Sequence, residues 1–249
     1  MLTIALIGSG NLGTQLFSLW KKHPSVQISQ WVNRSTNQSI IAGVNCIPCI
    51  SNLKPADAYI LAVPDRSIPS VSAQLPPSGL AIHCSGSIPL TDLENNGSQA
   101  VLYPLQSFSK SQNINLSEIP LFLEVAEGVK PTVLQQIADS WSYKQYWIDS
   151  SQIQQLHLAA VFANNFTNQL YYMASQICQR NALPFEALLP LIQETAQKIQ
   201  YLTPIQAQTG PAKRNDQEVL EKQQSLLADA NEKKIYQLLS QAILNQEDE

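Results

Sequence analysis

The sequence predicts an α/β fold class: a doubly wound, mostly parallel sheet followed by an all-α C-terminal domain. Three observations carry it. Short apolar runs rich in β-formers recur through the first 150 residues and alternate with helical patterns at the spacing of βαβ units. A glycine-rich turn joins the first run to the first helix. From about residue 150 the β-like runs stop, and residues 151–180 contain neither Gly nor Pro. The domains are therefore expected at 1–149 and 150–249.

Residues 2–7, LTIALI, read as a buried parallel strand ended by Gly8. Residues 11–22 read as a helix with Leu12, Leu16, Leu19 and Trp20 on one face, stopped by His23-Pro24. A second strand over 26–33 ends at Asn33-Arg34-Ser35, and a short helix is expected near 36–42. Residues 58–63 and 79–84 are the next buried strands, closed by Pro64-Asp65 and by Ser85-Gly86. Further β-like runs lie at 100–103, 120–125 and 143–148, with a helix over 131–141 before the last. Beyond them come one long helix over 151–180 and helices at 184–200, 216–229 and 231–246, broken by a loop at 203–215. Gln246 to Glu249 read as a frayed acidic end.

Composition narrows the function classes. Of 249 residues, 44% are hydrophobic and only 14% charged, as suits a well-buried, enzyme-like protein. A net charge of −4, with the Lys and Arg residues scattered, argues against nucleic acid or an anionic membrane as the main partner. No run approaches the roughly 18 apolar residues of a membrane helix. Met1 to Gly10 has no basic leader and runs straight into a strand and turn, so a cytoplasmic protein with reduced thiols is expected. Cys46 and Cys49 form a CxxC, but a tetrahedral metal site needs two more ligands at matching spacing, and none stands out. No metal is expected; the pair reads as two small residues around a short strand.

Gly8-Ser9-Gly10-Asn11-Leu12-Gly13 is GxGxxG, placed after a buried strand and opening a helix, the context that gives the pattern meaning. In the dinucleotide-binding Rossmann arrangement the first glycine allows the tight turn. The second admits the pyrophosphate to the backbone, and the third lets helix and strand pack closely. The unpaired N–H groups and positive end of the helix then hold the phosphates. Cofactor choice is made at the end of the second strand, about 20 residues on. Asn33-Arg34-Ser35-Thr36 contains no carboxylate to hold a ribose hydroxyl, while Arg34 suits a 2′-phosphate and Ser35 and Thr36 add hydroxyl donors. NADP(H) is the expected cofactor.

In open α/β sheets a substrate sits beyond the carboxyl ends of the strands. Those ends are Ala62-Val63-Pro64-Asp65, Cys84-Ser85-Gly86-Ser87 and the segment 103–108. His83, in an otherwise apolar strand, is expected to face away from Ser85 as a satisfied core histidine. On a straight α-helix over 151–180, His157, Asn164 and Asn168 fall within about 20° of one line. The surrounding faces are apolar, so the helix is expected to be buried and its polar stripe hydrogen-bonded, either within the core or to a ligand in a cleft between domains.

Taken together, these residues resemble the Rossmann-like NADP oxidoreductases that carry a C-terminal helical domain of unknown function. That family is related to pyrroline-5-carboxylate reductase and to the 6-phosphogluconate and hydroxyisobutyrate dehydrogenases. The resemblance rests on Gly8 to Gly13, AVPD at 62–65, HCSGS at 83–87, PLQSF at 104–108, HLAAVFANNF at 157–166 and the stretch 202–216. In the dehydrogenase relatives the first long helix after the sheet carries a catalytic Lys with an Asn one turn on. Here the helix offers His157, with Asn164 and Asn165 two turns on, and no Lys. The chain also departs from the family pattern at Tyr103, where His usually precedes Pro, and at Asn215, where Gly usually precedes Asp.

The resulting expectation is an NADP(H)-dependent oxidoreductase acting on a small polar substrate in the interdomain cleft. His157 donates a proton or polarises a carbonyl, a role suited to imidazole. Ser85, Asn164 and Asn168 bind substrate. The cofactor lies on Gly8 to Gly13, on Asn33, Arg34 and Ser35, and on Ala62, Val63 and Pro64. A homodimer through the C-terminal helices is expected, because about 100 helical residues cannot easily cover the apolar helix alone. The alternative is a regulatory or scaffold protein that binds NADP(H) without turnover. Related folds also use a deazaflavin coenzyme.

Overall fold

In the computed structural model, which describes residues 1–95, 97–110 and 114–246, the strands are β1 (Leu2–Ile7), β2 (Val26–Val32), β3 (Ile40–Ile41), β4 (Val44–Ile47), β5 (Ala58–Leu61), β6 (Leu80–His83), β7 (Ser98–Pro104), β8 (Leu121–Val125) and β9 (Gln145–Trp147). They form one sheet in the order β3-β4-β2-β1-β5-β6-β7-β8-β9. Pairing is parallel except at β3/β4 and β7/β8. The reversal of strand order on either side of β1 is the doubly wound pattern, and it opens a crevice at the carboxyl ends of β1 and β5.

The central strands are apolar on both faces because both are covered. On one face α1 (Asn11–Trp20) and α3 (Thr132–Asp139) pack Leu16, Phe17, Trp20, Leu134 and Ile137 onto Ile4, Leu6 and Ile82. On the other, Ile68 of α2 (Ile68–Ser72) and Ile153 of α4 (Ser150–Ala160) join Ala5, Ile7, Leu61 and Val101.

The short helix expected near 36–42 does not form. Ile40–Ile41 and Val44–Ile47 make an antiparallel hairpin around Ala42 and Gly43, whose φ values are +50° and +84°. Two consecutive residues at positive φ are what a two-residue hairpin turn requires, and Gly43 supplies one without strain.

The chain divides into two compact units, Met1–Ala163 and Asn164–Glu249. The expected boundary at 149/150 coincides with the capped start of α4, whereas the division of the compact units falls inside the helical stretch that follows. That stretch is α4, a π-helical segment over Val161–Phe166, and α5 (Thr167–Arg180). The second unit continues with α6 (Leu189–Lys198), the single turn α7 (Pro204–Ala207), α8 (Gln217–Ser225) and α9 (Ala230–Leu244). One guanidinium nitrogen of Arg180 on α5 donates to both carboxylate oxygens of the buried Glu232 of α9, at 2.8 and 2.7 Å.

The expectation of a buried helix over 151–180 is corrected. Only Ile153 and Cys178 are buried along it, and Leu158, Phe162, Phe166 and Leu170 are exposed. The straight stripe is corrected too, since an i→i+5 turn holds more residues than the α-helical projection assumes. Among the described residues no helix is long and apolar enough to cross a membrane. Of the expected frayed end, Glu247 to Glu249 lie outside the described residues.

Candidate functional site

The turn after β1 is shaped by what its glycines exclude. Gly8 has φ +111°, and a Cβ there would lie 2.2 Å from the Ala62 carbonyl oxygen. A Cβ on Gly13 would lie 2.4 Å from the Gly8 carbonyl oxygen, so α1 packs directly on the turn. At Gly10 nothing comes within 4 Å of the place a methyl group would take, which leaves open space at the start of the helix. Gly10 is the N-cap of α1; no side chain caps it and no acidic residue lies in the first turn. The helix thus presents uncancelled N–H groups and its positive end to that space.

Trp31 of β2 holds the turn from below, its indole N–H donating to the Gly8 carbonyl at 2.8 Å while its ring stacks on Phe17 of α1 at 4.2 Å. The Asn11 side chain is directed elsewhere: its amide donates to the Phe108 carbonyl at 2.9 Å. Asn11 therefore offers a ligand its backbone rather than its side chain.

A cavity of about 810 Å³ begins at this turn. Gly8, Ser9, Gly10, Asn11 and Leu12 line it, with Arg34 and Ser35 beyond β2, Pro48, Cys49 and Ile50 beyond β4, Ala62, Val63, Pro64 and Asp65 beyond β5, and Cys84 and Ser85 beyond β6. Arg34 and Ser35 are exposed, and the Ser35 hydroxyl lies 3.4 Å from that of Ser9. Asn33 is buried and off the cavity wall: its Oδ1 accepts from the Ser35 N–H at 2.9 Å and fixes the turn that presents Arg34. Gly13 is likewise behind the wall, where it acts through packing.

Ser85 lies at the end of β6 and is nearly buried. Its Oγ accepts from the Ser87 and Ile88 N–H groups at 3.0 and 3.3 Å, and its own N–H donates to His83 Nδ1 at 3.3 Å. His83 therefore sits directly beneath the Ser85 turn, not turned away from it, and it is only half satisfied. Its Nε2 is buried and has no hydrogen-bond partner among the described residues. Burial pushes the imidazole down to about 4, opposed by the Asp65 carboxylate.

Next to Ser85 is a pair of rings. Tyr103, at the end of β7, and His157, on α4, meet with the phenol oxygen 2.8 Å from Nδ1 and the rings edge-on at 5.7 Å. Gly86 is packed onto both: a Cβ there would lie 2.6 Å from Tyr103 Cζ and 2.9 Å from His157 Nδ1. Burial, then the Asp65 carboxylate, push the Tyr103 phenol up to about 12, so it is held as the neutral phenol.

The start of α4 is fixed by several bonds. Asp149 and Gln152 form a reciprocal capping box at 2.9 and 3.1 Å. Ser150 Oγ accepts from the Leu90 N–H at 2.9 Å and donates to Glu124. The Gln154 amide donates to the Ser87 carbonyl at 3.0 Å. The loop that carries Ser85 and Gly86 and the helix that carries His157 are thus tied to each other.

Of the residues singled out from sequence, the structure collects Gly8 to Leu12, Arg34, Ser35, Ala62 to Pro64 and Ser85 on one cavity. His157 stands one residue beyond its wall, against Gly86. Asn164 and Asn168 belong to the second unit, where both are exposed. Sequence reading missed Tyr103 as a partner of His157, Gly86 as the spacer between them, and Cys49 as a wall residue. Tyr103 had one usable signal, its place at a strand's carboxyl end two residues after Val101 on the same face.

Comparison with known proteins adds the following. A family described as a domain of unknown function, DUF2520, matches residues 119–243. No curated protein matches the chain. Among solved structures, a Bacteroides fragilis protein named "putative NADP oxidoreductase" is 34% identical, with 98% of each chain covered and a TM-score of 0.86. A Thermotoga maritima protein is 24% identical over 96% of each chain, with a TM-score of 0.72. The NADP-bound pyrroline carboxylate reductase of Plasmodium falciparum shares the fold at 14% identity, with 98% of each chain covered and a TM-score of 0.61.

Proposed function

Since the chain belongs to the DUF2520 family, we propose that it is an NADP(H)-dependent oxidoreductase acting on a small polar substrate. The observation that carries this reading is the continuity of the cavity from the Gly8–Gly13 turn, past Arg34 and Ser35, to Ser85. Its wall matches the cofactor at both ends. The space around Gly10 and the uncapped start of α1 suit a pyrophosphate, and the exposed Arg34 suits a 2′-phosphate. The 34% identical Bacteroides fragilis protein, named as an NADP oxidoreductase, supports the same cofactor.

Bound NADPH supplies a hydride; the chain's own residues bind, orient and hold a proton. Gly8, Ser9, Gly10, Asn11 and Leu12 would hold the pyrophosphate, and Ala62, Val63 and Pro64 line the same cavity as Ser85. Ser85 has both Oγ lone pairs engaged by backbone N–H groups, so its hydroxyl hydrogen is what it offers a substrate. His157 is the proton donor or polarising group beside it. The test is a panel of imines, keto acids and hydroxy acids with NADP(H), followed at 340 nm. Substrate-dependent absorbance change supports the reading, and NADPH binding without any turnover overturns it.

A second reading, an NADP(H)-binding regulatory protein, is favoured by two observations: α4 carries no Lys, and Asn164 and Asn168 are exposed. The same panel separates the two. The reading also includes a cytoplasmic setting, consistent with four free cysteines, and a homodimer through the C-terminal helices. Exposed Leu170, Tyr172, Leu191, Tyr201 and Leu238 on the second unit support the dimer.

A further inference from the structure

We propose that Tyr103 is a positioning residue that holds His157 in the single tautomer with its proton on Nε2, with Gly86 as the spacer that lets the two rings meet. The starting point is the 2.8 Å contact between the phenol oxygen and Nδ1. One proton lies between these atoms, and either group is able to supply it. Burial decides which. Tyr103 is 7% exposed, and among the described residues its hydroxyl has a single hydrogen-bond partner, His157 Nδ1. If Nδ1 carried the proton, the phenol hydrogen would be left part-buried with no acceptor among the described residues, which is costly. If the phenol donates, that hydrogen is satisfied, and the imidazole proton moves to Nε2 of the half-buried His157. The phenol is fit for this role because burial and the Asp65 carboxylate keep it protonated.

Gly86 makes the geometry possible. Any side chain there would meet Tyr103 Cζ at 2.6 Å and His157 Nδ1 at 2.9 Å, so it would separate the pair. Opposite Gly86, Tyr103 leans on Phe122, its partner across β8, with ring centroids 6.2 Å apart. The pair is thus closed in by a backbone on one side and a ring on the other. The consequence for the proposed reaction, on which the catalytic meaning of this inference rests, is that His157 faces a substrate as a hydrogen-bond donor. That suits a carbonyl oxygen or an unprotonated imine nitrogen.

The chain has three histidines, so their ring nitrogens can be assigned by ¹⁵N-labelled NMR with His23→Gln and His83→Asn variants. The expected wild-type spectrum shows His157 with Nε2 protonated and Nδ1 unprotonated, the latter shifted by an accepted hydrogen bond. Tyr103→Phe should remove that shift and give a mixture of tautomers, and Gly86→Ala should do the same. A protonated Nδ1 in the wild type, or ring signals unmoved by Tyr103→Phe, would overturn the proposal. Should both variants fail to fold, the wild-type spectrum alone decides. Turnover separates this inference from the oxidoreductase reading. If no substrate is reduced but the tautomer is as stated, that reading fails and the positioning stands. If a substrate is reduced, Tyr103→Phe should lower kcat at least tenfold at unchanged NADPH affinity; an unchanged kcat would overturn the positioning role.

Discussion

The carbonyl oxygen of Gly8 stands where a side chain on Gly13 would have to go, 2.4 Å from the position of its Cβ. The same oxygen accepts the Trp31 indole N–H at 2.8 Å, so it cannot shift freely. Gly13→Ala should therefore push α1 off the sheet and cost at least about 1–3 kcal/mol of stability. Gly10→Ala should fold normally, since its methyl meets nothing within 4 Å, yet lose NADPH affinity about tenfold or more by occupying the pyrophosphate's approach. Melting curves and NADPH titration on the two variants should show these opposite patterns. A Gly10→Ala protein that binds NADPH normally would remove the turn from the cofactor site.

The contrast between the two glycines also shows what the sequence carries. Their spacing fixes the turn, because a strand, a tight turn and a helix packed on it demand small residues at set positions. The buried parallel strands are equally legible, because strands covered on both faces are apolar throughout. The hairpin at Ala42-Gly43 was hidden by an alanine at positive φ, which no propensity favours. The exposure of Phe162 and Leu170 was hidden because an apolar pattern reports a need for cover and not what provides it. The bond between Tyr103 and His157 joins residues 54 apart, and no local periodicity reports such a pairing.

Cofactor preference depends on Arg34. It is exposed on the cavity wall beside Ser35, and the Asn33 side chain fixes the turn that presents it. Arg34→Ala should cost NADPH about 1.5–3 kcal/mol of binding free energy, the usual worth of a hydrogen bond to a charged group, and leave NADH nearly unchanged. Calorimetry on both cofactors checks this. Wild-type protein that binds NADH as tightly as NADPH would refute the role of Arg34.

His83 should make stability depend on pH. Its folded value is pushed from 6.5 down to about 4 by burial, so between those values the unfolded chain binds the proton that the folded chain refuses. Stability is then full above about pH 6.5 and is lost progressively as pH falls towards 4. At about 1.36 kcal/mol per pH unit, the whole loss from this group is at most about 3 kcal/mol. His83→Asn keeps an acceptor for the Ser85 N–H without titrating, so it should flatten the slope between pH 6.5 and 4 in denaturant unfolding. Parallel slopes for variant and wild type would exclude His83 as the source.

The second unit should be covered by another copy of the chain. Leu191, Tyr201 and Leu238 are each more than 60% exposed on it, at 63%, 68% and 70%. Large apolar side chains left this exposed are what a partner surface would cover. Light scattering at micromolar concentration should give twice the 27.5 kDa chain mass. A monomeric mass would reject the homodimer.

His157 is where the enzyme and the binding-protein readings part. It is half-buried, bonded through Nδ1 to Tyr103 and held in place by the capped start of α4. His157→Gln keeps a side-chain amide within reach of the Tyr103 hydroxyl, so folding and NADPH affinity should be retained. Substrate-dependent turnover should fall to background, because the amide holds no transferable proton and polarises a carbonyl less well. If His157 served only to pair the Tyr103 hydroxyl, the variant would instead keep turnover at the wild-type level, since the Gln amide takes over that bond. A melting curve, an NADPH titration and a turnover assay on the one variant decide between these outcomes. Unchanged turnover in a folded, NADPH-binding variant would remove His157 from the site, and with it the chain's own source of the proton.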